Sequence, residues 1–472
     1  MKHSSINLGY VVFLSATAAL GGFLFGYDTA VISGTIAQVT TVFNLSTLQQ
    51  GWYVGCALTG SIVGVSFAGV LSDRIGRKRT MIISAVLFSI SAVGCAICNS
   101  YDELICFRII GGIGIGVASI ISPLYISEIA VTSYRGRLVS LYQLAITIGF
   151  LGAFFVNYLL LSYSIRTGSE LVNPFIQNIF ITNSWKAMLG AEAIPAIIFF
   201  IIIFFIPESP RWLILTNHYQ PAENILYKIY RNKHLASNEL NLIKHSIRSN
   251  SEELNYKLLT KSENLKPIII GICIAILGQF MGVNAVLYYG PTIFESSGLS
   301  SNDSLFYQVL VGLVNTITTI IALIIIDKVG RKKLVYFGVS GMIFTLLLIG
   351  TLFFLNTHTP TFELILLIGF LSYIFFCAIS ICAVIWVLLS EMYPTKIRAI
   401  AMSIAGLSLW IGTFLIGQLT PWMLENLSPG GTFYLFGAMC IPYLIIVWKF
   451  IPETAGKSLE EIELIWESNK KV

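Results

Sequence analysis

The chain has 472 residues, of which 56% are hydrophobic and only 11% are charged, and its mean hydropathy is +0.80. Soluble domains carry about 25% charged residues, so the composition excludes a soluble protein and indicates a polytopic protein of the lipid bilayer. The formal net charge is +5, but the basic residues lie in short loops, which is typical of membrane topology and argues against nucleic acid as a partner. The eight cysteines lie in or beside apolar runs without metal-ligand spacing, so we expect free thiols, no metal and no cofactor.

Twelve apolar runs are each long enough to cross ~30 Å of hydrocarbon as a helix. Six precede a polar stretch and six follow it. The predicted fold class is therefore an all-α membrane protein with twelve transmembrane helices and a helical linker. The runs lie near residues 10–34, 51–72, 80–98, 104–128, 138–161, 187–206, 267–294, 305–326, 334–355, 362–389, 399–424 and 432–451.

Lys and Arg are distributed unevenly among the connections between these runs. Because cytoplasmic loops carry the excess of Lys and Arg, we expect both termini and the linker to be cytoplasmic. Arg166 and Lys186 depart from the pattern and are expected in an external loop. The connections without any Lys or Arg are 35–50, 99–103, 295–304, 356–363 and 425–431.

The chain also repeats itself at a nearly constant offset. The segment 73–79, Asp-Arg-Ile-Gly-Arg-Lys-Arg, returns at 327–333 as Asp-Lys-Val-Gly-Arg-Lys-Lys. Glu128, which follows a Ser, returns as Glu391 after a Ser, and Pro207-Glu208 is echoed by a Pro-Glu pair after the twelfth run. Such duplication is typical of transporters that rock two helical bundles about a site near the membrane midplane.

The repeat predicts two parallel six-helix halves, 1–206 and 267–452. Between them, 207–266 is predicted to be an intracellular linker with amphipathic helices over 222–230 and 237–249. Residues 453–472 are predicted to form a cytoplasmic helix and tail. An enzyme is not expected, because no nucleophile–base set or metal cluster appears in the sequence.

Asp28 is the only charged residue between Lys2 and Asp73, and it lies well inside the first apolar run. A carboxylate at that depth costs several kcal/mol unless it is paired, protonated or facing water. Arg108 stands similarly in the outer part of the fourth run, and two lone opposite charges at similar depth should pair, since each offsets the other's desolvation. We interpret Asp28 as a proton-binding or substrate-binding group; the alternative is a helix-end carboxylate that reaches the headgroups.

A second set of charges lies at the predicted cytoplasmic helix ends. Ion pairs there can close the cytoplasmic side and release it when the bundles rock; the alternative is a role in topology alone. The residues of this predicted cytoplasmic gate are Arg74, Arg77, Glu128, Arg135, Glu208, Arg211, Arg331, Glu391 and Arg398.

Several amides and indoles stand inside otherwise apolar runs. Amides hydrogen-bond to hydroxyl groups, and indole faces pack on sugar C–H surfaces, so the set suits a neutral polyhydroxylated ligand. Each amide alone could instead join two helices. The residues concerned are Gln143, Asn157, Gln279, Asn284, Asn315, Gln418, Trp386 and Trp410.

These motifs resemble, over essentially the whole chain, the sugar porter family of the major facilitator superfamily, and within it the bacterial proton-coupled xylose and hexose symporters. The resemblance rests on Gly-Tyr-Asp at 26–28, the two Asp-x-x-Gly-Arg-Lys loops, Pro-Glu-Ser-Pro-Arg-Trp at 207–212 and Gln-Phe-x-Gly-x-Asn at 279–284. It implies that Asp28 is protonated during transport with Arg108 as its partner. The sugar contacts that it implies are Phe25, Gln143, Gln279, Asn284, Tyr288, Asn315, Trp386 and Trp410.

The resemblance further implies a monomer in the bacterial inner membrane that imports a pentose or hexose with a proton. The alternatives are an inositol or polyol symporter, a facilitative uniporter and a transporter-like sugar sensor. Five residues depart from the family pattern and leave the substrate, sugar or cyclitol, open: Phe150, Gly278, Cys382, Ala383 and Leu409.

Overall fold

A computed structural model describes residues 6–131, 133–167, 177–249, 262–355, 359–393 and 397–451. Within these ranges, twelve helical segments are long and apolar enough to cross a membrane. This confirms the predicted all-α fold class. The predicted cytoplasmic tail, 453–472, lies outside the described residues.

The twelve segments are named spans one to twelve in chain order. Short helices at Ile36–Phe43, Pro210–Leu215, Tyr219–Tyr230 and Lys233–Ser249 lie between them. The spans are Leu8–Val31, Thr47–Ile75, Arg77–Ile97, Tyr101–Ile129, Arg135–Thr167, Ser184–Gly190 with Ala193–Ile203, Ser262–Phe280 with Val283–Glu295, Ser301–Val329, Arg331–Leu355, Pro360–Ile379 with Ile381–Met392, Arg398–Asn426, and Ser428–Phe450.

Spans six, seven and ten are each interrupted within the membrane-crossing segment. Span seven turns at Gly282, whose φ of 90° lies in the left-handed region that favours glycine. Span ten breaks at Ser380, with φ −114° and ψ −89°. Backbone groups released inside hydrocarbon need other partners: the Ser380 hydroxyl donates to Phe376 O at 2.6 Å, and the Tyr373 hydroxyl donates to Met281 O at 2.8 Å.

The described residues fall into two compact units. The first comprises the described parts of Met1–Thr29, Thr59–Phe150 and Leu189–Leu254. Within it, spans one and five approach closely, because a Cβ at Gly26 would overlap the backbone of Ile146. This contact fixes how far along span five the Asp28 segment of span one lies.

The second unit comprises Ala30–Leu58, Leu151–Met188 and the described parts of Asn255–Val472. Asn157 is fully buried in it and donates from Nδ2 to Val31 O at 3.0 Å. This bond satisfies a carbonyl where span one ends, so Asn157 joins two helices here. The division into two six-helix halves stays a prediction from the sequence repeat.

The sequence repeat has a structural counterpart in the turns that precede spans three and nine. Gly76 and Gly330 precede spans three and nine with φ of 96° and 95°. Two residues after each glycine, a lysine ammonium reaches a carbonyl at the end of a later span: Lys78 donates to Phe204 O, and Lys332 donates to Trp448 O. The same turn and the same cap are therefore built twice.

The linker helices confirm the predicted amphipathic segments, with starts at Tyr219 and Lys233 rather than 222 and 237. The apolar side of the first is buried. Arg166 and Lys186 lie in helices and not in a loop as predicted; their external location stays a prediction. Lys186 is buried, and its ammonium lies 5.5 Å from the ring centroid of Trp185, an interaction that compensates part of its desolvation.

Candidate functional site

Asp28 of span one and Arg108 of span four form a buried ion pair. Nη1 of Arg108 donates to Oδ1 of Asp28 and, at 3.3 Å, to its backbone oxygen. The residues are 0% and 2% exposed, so each charge depends on the other for compensation. The structure thus brings together the two lone charges that the sequence singled out.

Glu192, which the sequence reasoning missed, completes this cluster. It stands at the interruption of span six, is 2% exposed, and its carboxyl lies close enough to Asp28 and Arg108 to interact electrostatically with both. Among the described residues, Asp28 Oδ2 and Glu192 Oε1 have no hydrogen-bond partner. We call Asp28, Arg108 and Glu192 the carboxyl cluster.

The charge balance of the carboxyl cluster decides what it can do. Two ionised carboxylates against one guanidinium leave a net negative charge in a site that water does not solvate, which is costly. One added proton on either carboxyl makes the cluster neutral. The cluster is therefore chemically able to take up one proton.

The sequence contains a signal that identifies Glu192. It is a lone acid inside the apolar run 187–206, and the argument that singled out Asp28 applies to it unchanged. Its position beside Asp28, by contrast, depends on how spans one and six pack.

A second polar cluster forms around Gln279 of span seven. Its Oε1 accepts from Asn284 Nδ2 at 2.6 Å and from the Thr413 hydroxyl of span eleven at 3.1 Å. The Thr413 hydroxyl also lies 2.9 Å from Leu409 O, so its single hydrogen serves two acceptors. We call Gln279, Asn284 and Thr413 the amide cluster.

These bonds leave different hydrogen-bonding groups on the two amides for a ligand. The oxygen of Gln279 is occupied, which leaves its N–H groups to donate to a ligand. Asn284 donates one of its two N–H groups to Gln279, which leaves its oxygen to accept from a ligand and its second N–H to donate. A donor beside an acceptor is complementary to two neighbouring hydroxyl groups, each of which can both donate and accept.

The other predicted sugar contacts in the second unit have varied exposure. Tyr288 is buried one turn after Asn284, on the same face of its helix. Asn315 and Trp410 are also buried. Trp386 is 42% exposed, which leaves much of its ring open to contact.

The predicted contacts in the first unit are half-buried: Phe25 lies on span one and Gln143 on span five. Phe150, one of the departures from the family pattern, lies farther along span five and is buried. The roles of all three stay predictions.

Two further departures lie beside the amide cluster. Gly278 leaves an open position, because a Cβ there would meet only Tyr443 at 3.7 Å and Ile381 at 3.9 Å. Leu409 presents an apolar side chain one turn before Thr413. Both positions border Gln279 or its partner without adding a hydrogen-bonding group.

On the predicted cytoplasmic side of the first unit, Arg77 is buried and bonds to two acids. Its Nε and Nη2 donate to the Glu128 carboxylate at 3.0 and 3.1 Å, and its Nη1 donates to Asp73 at 3.1 Å. Glu208 accepts from the backbone N–H groups of Arg77, Lys78 and Ser209 and thereby caps span three. Burial raises the pKa of Glu208, against the lowering influence of these N–H groups.

The second unit holds the corresponding pair. Arg331 Nη2 donates to Glu391 at 3.1 Å, and Arg398 donates to Tyr393 O at 3.1 Å. Of the remaining predicted gate residues, Arg74, Arg135 and Arg211 are exposed. The structure thus pairs Arg77 with Glu128 and Arg331 with Glu391; their function as a gate stays a prediction.

Twelve spans, a turn that is built twice, a buried cluster of two carboxyls and a guanidinium, and paired amides inside the spans are typical of a secondary transporter of the major facilitator class. The family described as "Sugar (and other) transporter" matches residues 14–466 of the chain. The protein belongs to this family, which makes it a transporter and not an enzyme.

Individual relatives extend over nearly the whole chain. The chain is 37% identical to the D-xylose–proton symporter of Escherichia coli, over 99% of this chain and 98% of that one. It is 37% identical to the arabinose–proton symporter of Bacillus subtilis, over 98% and 96%. The inward open structure of the E. coli xylose transporter covers 97% of this chain and all of its own, with a TM-score of 0.82 and 36% identity.

Proposed function

We propose that this protein imports a monosaccharide together with a proton by alternating access across the bacterial inner membrane. The observation that carries the proposal is the carboxyl cluster, in which two buried carboxyls lie near a single guanidinium that pairs with Asp28. The names of the relatives, proton symporters for xylose and arabinose, support the same assignment.

In the proposed cycle, the carboxyl cluster holds one proton in the neutral state. Loss of the proton leaves an uncompensated carboxylate in a buried site, which is unfavourable until the site opens to water. Release is thereby restricted to the conformation in which the cluster is hydrated. A proton that enters on one side and leaves on the other couples the membrane potential to the conformational change.

The amide cluster is the proposed centre of sugar recognition. Gln279 donates to one hydroxyl group of the sugar and Asn284 accepts from its neighbour, and Thr413 holds Gln279 in this orientation. The ring of Trp386 offers an apolar surface for the sugar C–H groups. Because the cluster is complementary to a pair of neighbouring hydroxyls and not to a ring of particular size, pentoses, hexoses and cyclitols all present the groups that it would bind.

The remaining predictions complete the proposal. The ion pairs Arg77–Glu128 and Arg331–Glu391 act as cytoplasmic latches that differ between the states of the cycle. Both termini lie in the cytoplasm, as the distribution of Lys and Arg indicates. The chain acts as a monomer, because one copy supplies both proposed sites.

Uptake into proteoliposomes tests the proposal. Xylose, arabinose, glucose, galactose and inositol are supplied outside, with and without an inward proton gradient. We expect accumulation of at least one monosaccharide above its external concentration only when the gradient is present. Equilibration to equal concentrations under both conditions would instead identify a uniporter.

A further inference from the structure

Two cysteines of span ten lie in contact beside the break in that span. The sulfurs of Cys377 and Cys382 are 3.6 Å apart. In a continuous helix, residues five apart point in directions about 140° apart, given ~3.6 residues per turn, so their side chains cannot meet. The break at Ser380 therefore creates the thiol pair.

The separation of the sulfurs suits a shared ligand. Two sulfurs bound to one atom at about 2.3 Å each, with a tetrahedral angle, lie about 3.8 Å apart. The two sulfurs, 3.6 Å apart, would move little to bind such a centre. To form a disulfide they would have to approach to about 2.05 Å. In the part of the chain that the structure describes, no third Cys, His, Asp or Glu completes a metal cluster here, so the pair suits a centre satisfied by two sulfurs.

A neighbour of the pair also contacts the segment that carries the amide cluster. Cys382 and Trp386 share a face of the same helix, one turn apart. Ile381, the neighbour of Cys382, packs beside Gly278, which precedes Gln279. A ligand that joins the two sulfurs would fix the break in span ten next to the proposed sugar site.

We propose that Cys377 and Cys382 form a dithiol site for one thiophilic centre of the class of trivalent arsenic. With phenylarsine oxide, two arsenic–sulfur bonds form and two S–H bonds break. The arsenic-bound oxygen leaves with both protons as water. Arsenic stays trivalent, so the step needs neither an oxidant nor a reductant. Because thiophilic centres select soft sulfur ligands, the adduct withstands an excess of a monothiol and is removed by a dithiol.

Intact mass spectrometry of the purified full chain tests the site without any need for transport. Phenylarsine oxide is added in the presence of excess 2-mercaptoethanol, and we expect one adduct that 2,3-dimercaptopropanol removes. Cys382→Ser should need at least tenfold more reagent for the same occupancy. Cys377→Ala, which keeps the buried volume small and apolar, gives an independent test if the serine variant folds poorly.

The matched control is Cys95→Ser, because Cys95 and Cys98 are the other closely spaced cysteines. Cys95→Ser should keep the adduct. An adduct that survives in Cys382→Ser and Cys377→Ala, or that disappears in Cys95→Ser, would overturn the assignment, as would a wild type that takes no adduct.

The effect of the adduct on transport rests on the proposed function. It is measured separately from binding, as the rate of sugar uptake. In proteoliposomes, one adduct per chain should slow sugar uptake at least tenfold, and dimercaptopropanol should restore it. Bound sugar should slow formation of the adduct. A fully occupied dithiol site with undiminished uptake would show that fixing the break does not affect transport.

Discussion

Replacing Glu192 with glutamine should uncouple sugar movement from the proton while Asp28 and Arg108 remain in place. The substitution keeps the shape and the hydrogen-bonding capacity of the side chain but removes one of the two buried carboxyls. The remaining pair of one carboxylate and one guanidinium is neutral without a proton. The cluster then has no electrostatic reason to bind one.

The magnitude follows from the driving force. One proton moving down 100 mV supplies about 2.3 kcal/mol, and each 1.4 kcal/mol is tenfold in concentration, so the wild type can accumulate sugar up to about 50-fold. For Glu192→Gln we expect an accumulation ratio close to one. Exchange of labelled for unlabelled sugar, which needs no net proton movement, should continue.

The assay is concentrative uptake and exchange in the same proteoliposome preparation at a fixed potential. Asp102→Asn is the control, because that acid is exposed and its neutralisation should leave both activities unchanged. If Glu192→Gln accumulates sugar like the wild type, the charge-balance argument is refuted. If it loses exchange as well, Glu192 is needed for the transport cycle itself and not for coupling alone.

Three further predictions concern the amide cluster. Gln279→Ala and Asn284→Ala should each weaken sugar binding by about 1–3 kcal/mol, since each leaves hydroxyl groups unpaired; equilibrium binding in detergent checks this, and wild-type affinity in both would place the site elsewhere. Thr413→Val should raise the Kd about fivefold, as expected for the loss of about 1 kcal/mol, and Thr413→Ser should restore it; equal losses in both would point to packing rather than the hydroxyl. Gly278→Gln combined with Leu409→Gln should shift preference toward xylose or glucose, because hydroxyl pairing discriminates analogues more sharply than apolar packing does; competitive uptake against galactose and inositol measures the shift, and an unchanged order of preference would contradict it.

Lone charges and repeats were the features that sequence reasoning handled well. Asp28 and Arg108 could be paired in advance because each is isolated in an apolar run, so desolvation alone demanded a partner. The duplicated Asp-x-x-Gly-Arg-Lys loops predicted equivalent turns, and Gly76 and Gly330 do adopt matching conformations. Such signals depend on composition and order along the chain.

Features that depend on packing were missed. Thr413 could not be distinguished from other hydroxyl residues in the spans, because a threonine in a membrane helix ordinarily bonds to its own backbone, as Thr345 does. Cys382 stands out in the sequence only as a departure from the family pattern, and its contact with Cys377 exists only because span ten breaks at Ser380. No local sequence signal located that break.

Sugar-driven proton movement is a direct test of whether the carboxyl cluster couples the two fluxes. Proteoliposomes that contain a trapped pH indicator receive a sugar pulse without any other gradient, and proton entry is compared with labelled sugar entry. We expect one proton per sugar for the wild type, and sugar exchange without proton entry for Asp28→Asn. Sugar entry without proton movement in the wild type, or undiminished proton entry in Asp28→Asn, would contradict the assignment of the carboxyl cluster as the coupling site.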